Sequence, residues 1–200
     1  MPRAGLDTAA VVDAAAKLAD TEGLESVTLA RLATVLGVRP PSLYAHVDGV
    51  EDLRRRIGAR GARELTARLG RAAAGRAGGD ALYAVACAYR EYGHQHPGTY
   101  AAAQRARELQ KNDEAVAASR EATDVVLAVM RGFGLDGQDA VHAARIIRVA
   151  LHGFVSLEAQ EGFAIELSLD DTFERLIATL DRGLQMPKTR AEAKTKGRNP

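Results

Sequence analysis

The chain has 200 residues, 46% of them hydrophobic and 26% charged, enough apolar material for a core that needs no disulfide or metal staple. Cys87 is the only cysteine, which excludes an intrachain disulfide framework and a multi-cysteine zinc site and fits a reducing compartment. The net charge of +1 divides unevenly: residues 1–69 carry +1, 70–185 carry −4 and 186–200 carry +4. No uninterrupted apolar run approaches the ~20 residues of a membrane span, and Met1 to Asp7 lack the apolar stretch of a signal peptide. The reading is a cytoplasmic protein with no membrane partner.

The elements follow from apolar spacing and punctuation. Asp7 or Thr8 caps a first helix to Thr21, with Val11, Ala14, Ala15, Leu18 and Ala19 on one face, and Gly23 closes it. Thr28 caps a short second helix with Leu29, Leu32, Ala33 and Leu36 as its apolar face, and Gly37 ends it. A third short helix has Pro40 or Pro41 in its first turn, where a missing N–H is harmless, and carries Leu43, Tyr44 and Val47. From Glu51 a long Arg-rich helix reaches Ala74, followed by a break at Gly75–Gly79. Asp80 caps a fifth helix to Gln95, and Pro97 opens a sixth. Beyond the polar stretch Lys111 to Asp113 comes a seventh ending near Gly132, then an eighth from Gln138 to Gln160 and a ninth from Asp170 to Gln185. The last fifteen residues, 186–200, are basic and aperiodic and read as a disordered tail. With low aromatic content and no alternating β-rich segment, the fold class is all-α with about nine helices.

The most specific pattern lies between Thr28 and Val47. Two short helices are joined by Leu36-Gly37-Val38, and Ala33, four residues before the glycine, is small enough for the second helix to cross over it. Leu32, Leu36, Val38 and Leu43 lock the pair, leaving the other side of the second helix facing outward, as a helix-turn-helix presents its reading helix. That side offers Arg39, able to bond guanine edges or phosphate, and Ser42, Tyr44 and His46 as donors to phosphate oxygens or base edges. Thr28, with the free N–H groups of its helix, forms a phosphate site.

The run from Thr28 to Val47, with its small residue, Gly37-Val38 and Leu43-Tyr44-x-His46, resembles the TetR family of bacterial repressors, and the likeness extends back over Val11 to Gly23. Downstream, His96-Pro97-Gly98-x-Tyr100 and Leu151-His152-Gly153 look like the variable C-terminal half of one branch. The resemblance implies a homodimer on a near-palindromic double-stranded operator, with a small-molecule effector in the C-terminal helices changing the spacing of two reading heads. It implies that Thr28, Tyr44 and His46 hold phosphates while Arg39, Pro40 and Ser42 face base edges. One departure is Val50, where the family often has Lys, flanked by Asp48, Glu51 and Asp52. Either backbone N–H groups bind phosphate there or Arg54, Arg55 and Arg56 supply the charge.

The expected organisation is a DNA-binding domain at 1–50, an effector-binding and dimerisation domain at 51–185 with 51–74 as connecting helix, and the tail. The candidate pocket combines Tyr83, Cys87, Arg90, Tyr100, Phe133, Arg145 and His152, a mostly apolar set with a few polar groups. The candidate dimer interface takes the apolar faces of the last two helices, with Ile147, Leu151, Phe154, Phe173, Leu176, Ile177 and Leu180. Gly132-Phe133-Gly134-Leu135-Asp136-Gly137 matches a dinucleotide fingerprint in letters alone, without the parallel strands that motif requires, and reads as an interhelical loop. His94 and His96, two apart on a helix, point to different sides and make no metal pair. With no nucleophile–base–orienter set, the chain reads as a non-enzymatic regulator without cofactor. The competing reading is an all-α carrier or enzyme with a helix-turn-helix that reads nothing.

Overall fold

The structure is a computed structural model that describes the backbone of residues 6–109 and 113–185, and their side chains outside 106–119. The expected tail at 186–200 lies outside the described residues. Those residues form eight α-helices and two short 3-10 helices, with no strand among them. The α-helices are α1 (Thr8–Glu22), α2 (Leu29–Leu36), α3 (Val50–Ala73), α4 (Gly78–Gln95), α5 (Pro97–Leu109), α6 (Asp113–Arg131), α7 (Gly137–Ala159) and α8 (Leu169–Gln185). The 3-10 helices are Leu24–Ser26 and Pro40–Ala45.

The all-α expectation holds, with one change of type. The expected third helix is the six-residue 3-10 segment Pro40–Ala45, not an α-helix. Pro40 is itself followed by proline, and a residue before proline is pushed away from α geometry. The turn before it follows the expectation: the Thr28 hydroxyl accepts from the Arg31 N–H at 3.1 Å, and Gly37 closes α2 in the left-handed region at φ 65°. A side chain there would be strained, which is why the turn takes glycine.

Two cores share α3. The first joins Val11, Leu18, Ala19, Val27, Leu32, Ala33, Leu43 and Val47 of the head to Leu53 and Ile57 of α3 and Ala102 of α5. The second gathers Leu65 and Leu69 of α3 with α4, α6, α7 and α8 around Leu82, Tyr92, Met130, Leu151, Phe154 and Phe173. Burying a Leu or Phe of this kind contributes about 1.5–3 kcal/mol each. Among the described residues α7 alone is long and apolar enough by composition to cross a membrane, with a mean hydropathy of 1.3. Arg145 and Arg148 interrupt it, and Ile147, Leu151 and Phe154 bury one of its faces in the second core. Gly132–Asp136 is the loop between α6 and α7, as its sequence implied.

Candidate nucleic-acid interface and ligand cavity

The head presents a short reading segment on a packed base. Leu43 and Val47 are buried against Leu32 and Ala33, while Arg39, Pro40, Ser42 and Tyr44 are exposed and His46 is half-buried. Tyr44 is 62% exposed, a large aromatic ring held mostly in solvent. Thr28 is exposed at the start of α2, 3.1 Å from the one N–H it caps. Five of the six residues proposed for DNA contact are exposed and the sixth, His46, is half-buried, all on one short unit with a buried apolar base.

Ion pairs fix that unit. The guanidinium of Arg31 grips Glu22 of α1 through two bonds, of 3.0 and 2.5 Å. Arg60 of α3 pairs with Asp13 of α1 and, at 2.7 Å, with Glu64. At the start of α3 the acids and arginines cancel one another. Arg54 reaches Glu51 and Glu25 at 3.2 Å each, and Asp52 accepts from Arg55 at 2.9 Å, Arg56 at 2.8 Å and the Asp48 N–H at 3.1 Å. Burial pushes the Asp52 carboxyl up, but the hydrogen bonds from Arg56, the Asp48 N–H and Arg55 outweigh it and hold the group below the usual aspartate range. Arg54, Arg55 and Arg56, one of the two phosphate-binding options at this helix start, are thus each paired with an acid. The i, i+3 and i, i+4 spacing of Asp52 to Arg55 and Arg56 was the signal for that pairing.

The seven residues proposed for one pocket fall into separate places. Tyr83, Cys87 and Arg90 line an open surface groove of 580 Å³ with His94, Asp170 and Phe173. Arg90 is committed there to structure. It bonds Glu158 of α7 at 3.0 and 2.5 Å and Asp170 of α8 at 2.8 Å, and lies over the rings of Phe154 and Phe173. Burial raises the Glu158 carboxyl, yet hydrogen bonds from Arg90 and His94 bring it below the usual glutamate range. Phe133 is half-buried against the second core and lines neither hollow.

The more enclosed hollow is a 310 Å³ cavity between α3, α4, α5, α6 and α7. Its walls include Leu65 and Leu69, Val85 and Tyr89, Gln104, Val126 and Leu127, and Arg145, Ile147, Arg148 and Leu151. Of the proposed residues only Arg145 lines it directly. Tyr100 and His152 stand behind its Tyr89 wall: the Tyr100 hydroxyl is 2.9 Å from that of Tyr89 and 2.6 Å from His152 Nδ1. Burial and the neighbouring Tyr89 push the Tyr100 phenol well above the usual tyrosine range, so it stays protonated. Tyr89 is buried in the second core and also forms part of this wall, a role outside the residues expected for the pocket.

A junction that the sequence did not announce joins this cavity to the head. The carboxylate of Asp20 on α1 accepts from the Thr99 N–H at 2.7 Å and lies 3.1 Å from His96 Nδ1. It thereby caps the first turn of α5 from another helix, supplying the negative charge a helix N-terminus favours. Gly98 lies directly against Ala19, with no room for a Cβ between the two backbones. Thr99 and Tyr100 are adjacent, so the head contact and the cavity wall's hydroxyl partner are neighbours in one helical turn.

The sequence and the fold have matches among known proteins. Residues 82–180 match the model of the tetracyclin repressor-like C-terminal domain. The chain is 41% identical over 186 residues to the HTH-type transcriptional regulator Rv0681 of Mycobacterium tuberculosis, covering 93% of this chain and 85% of that one. The chain belongs to the TetR family of transcriptional regulators. Among solved structures, a protein from Rhodococcus sp. RHA1 superposes with a TM-score of 0.77 at 20% identity, over 93% of this chain and 100% of that one. A TetR variant from Acinetobacter baumannii AYE in complex with minocycline superposes with a TM-score of 0.67 at 22% identity, over 90% and 97%. These two likenesses establish the shared TetR fold.

The side chains proposed for the dimer interface need a correction of place. Ile147, Leu151, Phe154, Phe173 and Ile177 are buried inside the protomer, and Leu176 and Leu180 pack half-buried on the same core. A second chain cannot touch the five buried ones without opening that core. α7 is apolar on two sides, and the outward one carries Ile146 at 58% exposure, Val149 at 73% and Leu157 at 47%.

Proposed function

We propose that this TetR-family regulator is a repressor that binds a near-palindromic operator as a homodimer and leaves it when a small molecule occupies the 310 Å³ cavity. The observation that carries the reading is the junction of Asp20 and Gly98, which places the head one turn of α5 away from the cavity wall. Arg39, Pro40 and Ser42 face base edges, and Thr28, Tyr44 and His46 grip phosphates. With the arginines of α3 already paired, the uncapped N–H groups of its first turn take the phosphate that a lysine at position 50 would hold. The outward face of α7, with Ile146, Val149 and Leu157, meets its symmetry mate. The complex of the structurally similar TetR variant with minocycline supports a small-molecule effector.

The mechanism is a population shift. Effector binds more tightly to the protomer geometry whose heads are wrongly spaced for the operator, and only that difference in affinity moves the equilibrium. Both α3, which enters the two cores, and α5, held by Asp20, transmit the change. On this reading the chain is a cytoplasmic regulator, with a cavity that serves binding and not turnover.

Selection from a randomised duplex pool with the full chain tests the reading. The expected product is a two-fold related pair of half-sites, bound by two protomers. A pool that shows no enrichment after repeated rounds, or enriches a single half-site bound by one protomer, contradicts it.

A further inference from the structure

We infer that the effector is an organic carboxylate with an apolar body, its anionic end held between Arg145 and Arg148. This rests on the cavity being the effector site. Among the described residues the cavity's lining holds these two guanidinium groups and no carboxylate. They sit three residues apart on the same side of α7, where like charges repel.

Elsewhere arginines meet acids, whether half-buried like Arg90 with Glu158 and Asp170 and Arg60 with Asp13 and Glu64, or more exposed like Arg55 and Arg56 on Asp52. Arg145 and Arg148 are exposed residues at the rim of the cavity. Among the described residues no ion pair involves Arg145 or Arg148. Arg148 has only a long contact, 3.4 Å, to the Gln104 amide oxygen. Two cations at the rim of an apolar hollow, with no acid paired to them among the described residues, describe a receptor for an anion. The planar guanidinium fork matches a carboxylate in a bidentate way that a hydroxyl or an amine cannot reproduce.

The rest of the lining sets the other end of the ligand. Leu65, Leu69, Val85, Leu127 and Leu151 are hydrocarbon, and the Tyr89 hydroxyl is already bonded to Tyr100. Beyond the arginines and Tyr89, Gln104 and Thr123 are the polar side chains among the described lining residues, so a tail rich in polar groups would lose more water than it gains in partners. At roughly 30 Å³ per water-sized atom, the 310 Å³ space accommodates about ten non-hydrogen atoms. A medium-chain fatty carboxylate or a two-ring aromatic carboxylate is of that size.

The test is isothermal titration of the full-length protein with decanoate, 1-decanol, 2-naphthoate and acetate, each below its aggregation concentration. It is run on wild type, R145Q/R148Q and R145K/R148K. Decanoate or naphthoate is expected to bind at least about tenfold tighter than decanol, a difference of about 1.4 kcal/mol, while acetate alone does not bind measurably. R145Q/R148Q is expected to erase that preference while keeping decanol affinity and helical content, and R145K/R148K to restore part of it. Equal affinity for decanoate and decanol, no binding of either carboxylate, or an unchanged preference in R145Q/R148Q overturns the inference.

The same samples titrated into the protein–operator complex separate this inference from the reading beneath it. Carboxylate that binds without releasing DNA leaves the ligand class standing and removes the effector role. Decanol that binds and releases DNA as well as decanoate keeps the effector role and removes the anion requirement.

Discussion

Gly98→Ala is the perturbation that most sharply separates a working junction from incidental packing. The added methyl would overlap the carbonyl carbon and oxygen of Ala19 and stand 2.8 Å from the Ala19 Cβ. Both obstacles belong to the α1 backbone or lie next to it, so no flexible side chain can swing away. α5 must retreat from α1 by roughly 1 Å to recover ordinary contact. Overpacking of this kind costs about 1–3 kcal/mol, and the retreat also stretches the bond from the Thr99 N–H to the charged Asp20, itself 2.7 Å long. A total of about 3 kcal/mol follows, with the charged hydrogen bond contributing about 1.5 or more of it. For a chain of this size that lowers the melting temperature by about 6–12 °C. Gly70→Ala is the control, since its methyl would meet only Val125 Cγ2 at 3.9 Å inside α3. It should be neutral or stabilising by up to about 1 kcal/mol. Urea unfolding gives the stabilities, and operator titration gives the second readout, in which Gly98→Ala weakens DNA binding even where the chain is folded. A Gly98→Ala variant as stable as Gly70→Ala, with wild-type operator affinity, would refute the argument.

The other expectations concern the head, the interface and the acid response. Tyr44→Ala should weaken binding to all duplexes at unchanged helical content, whereas Arg39→Ala should relax preference at one base position by about 1–3 kcal/mol; anisotropy titrations on single-substitution operators distinguish the two, and equal binding by wild type and Tyr44→Ala removes that ring from the interface. Val149→Glu, at a position 73% exposed on α7, should turn the dimer into a folded monomer in analytical ultracentrifugation; an undisturbed dimer places the interface elsewhere. Glu158 titrates below the usual glutamate value of 4.5 when folded, so its stabilising contribution is complete above that value and is lost as pH falls through the lower folded one. Glu158→Gln should therefore be less stable than wild type near neutral pH, with the gap closing below about pH 4. A gap independent of pH would show that the Arg90–Glu158–His94 cluster does not act through its charge.

What the sequence disclosed was what short-range chemistry decides. The head was legible because its signals lie within a few residues of one another: the Thr28 cap, the small Ala33, the left-handed Gly37 and the exposed Tyr44. The pairing of Asp52 with Arg55 and Arg56 was equally local and was open to the same reading, yet the three acids near α3 were weighed by their charge alone. The cavity was not legible because five helices contribute to it, and helical spacing tells which side of a helix is apolar, not which neighbour it meets. On α7 the pattern is apolar over a wide arc, so periodicity cannot choose between Ile147 inside and Ile146 outside. Asp20 had no sequence signal at all, since its partners Thr99 and His96 lie more than seventy residues away.

The most direct measurement of the central claim is equilibrium binding of the full-length chain to DNA from upstream of its own gene, against scrambled DNA of equal length at one fixed, near-physiological salt concentration. The account predicts tight, sequence-dependent binding by two protomers per duplex, at least about a thousandfold tighter than to the scrambled sequence. Equal, weak binding to both duplexes, repeated on any site enriched from a random pool, would mean that the exposed head reads no sequence.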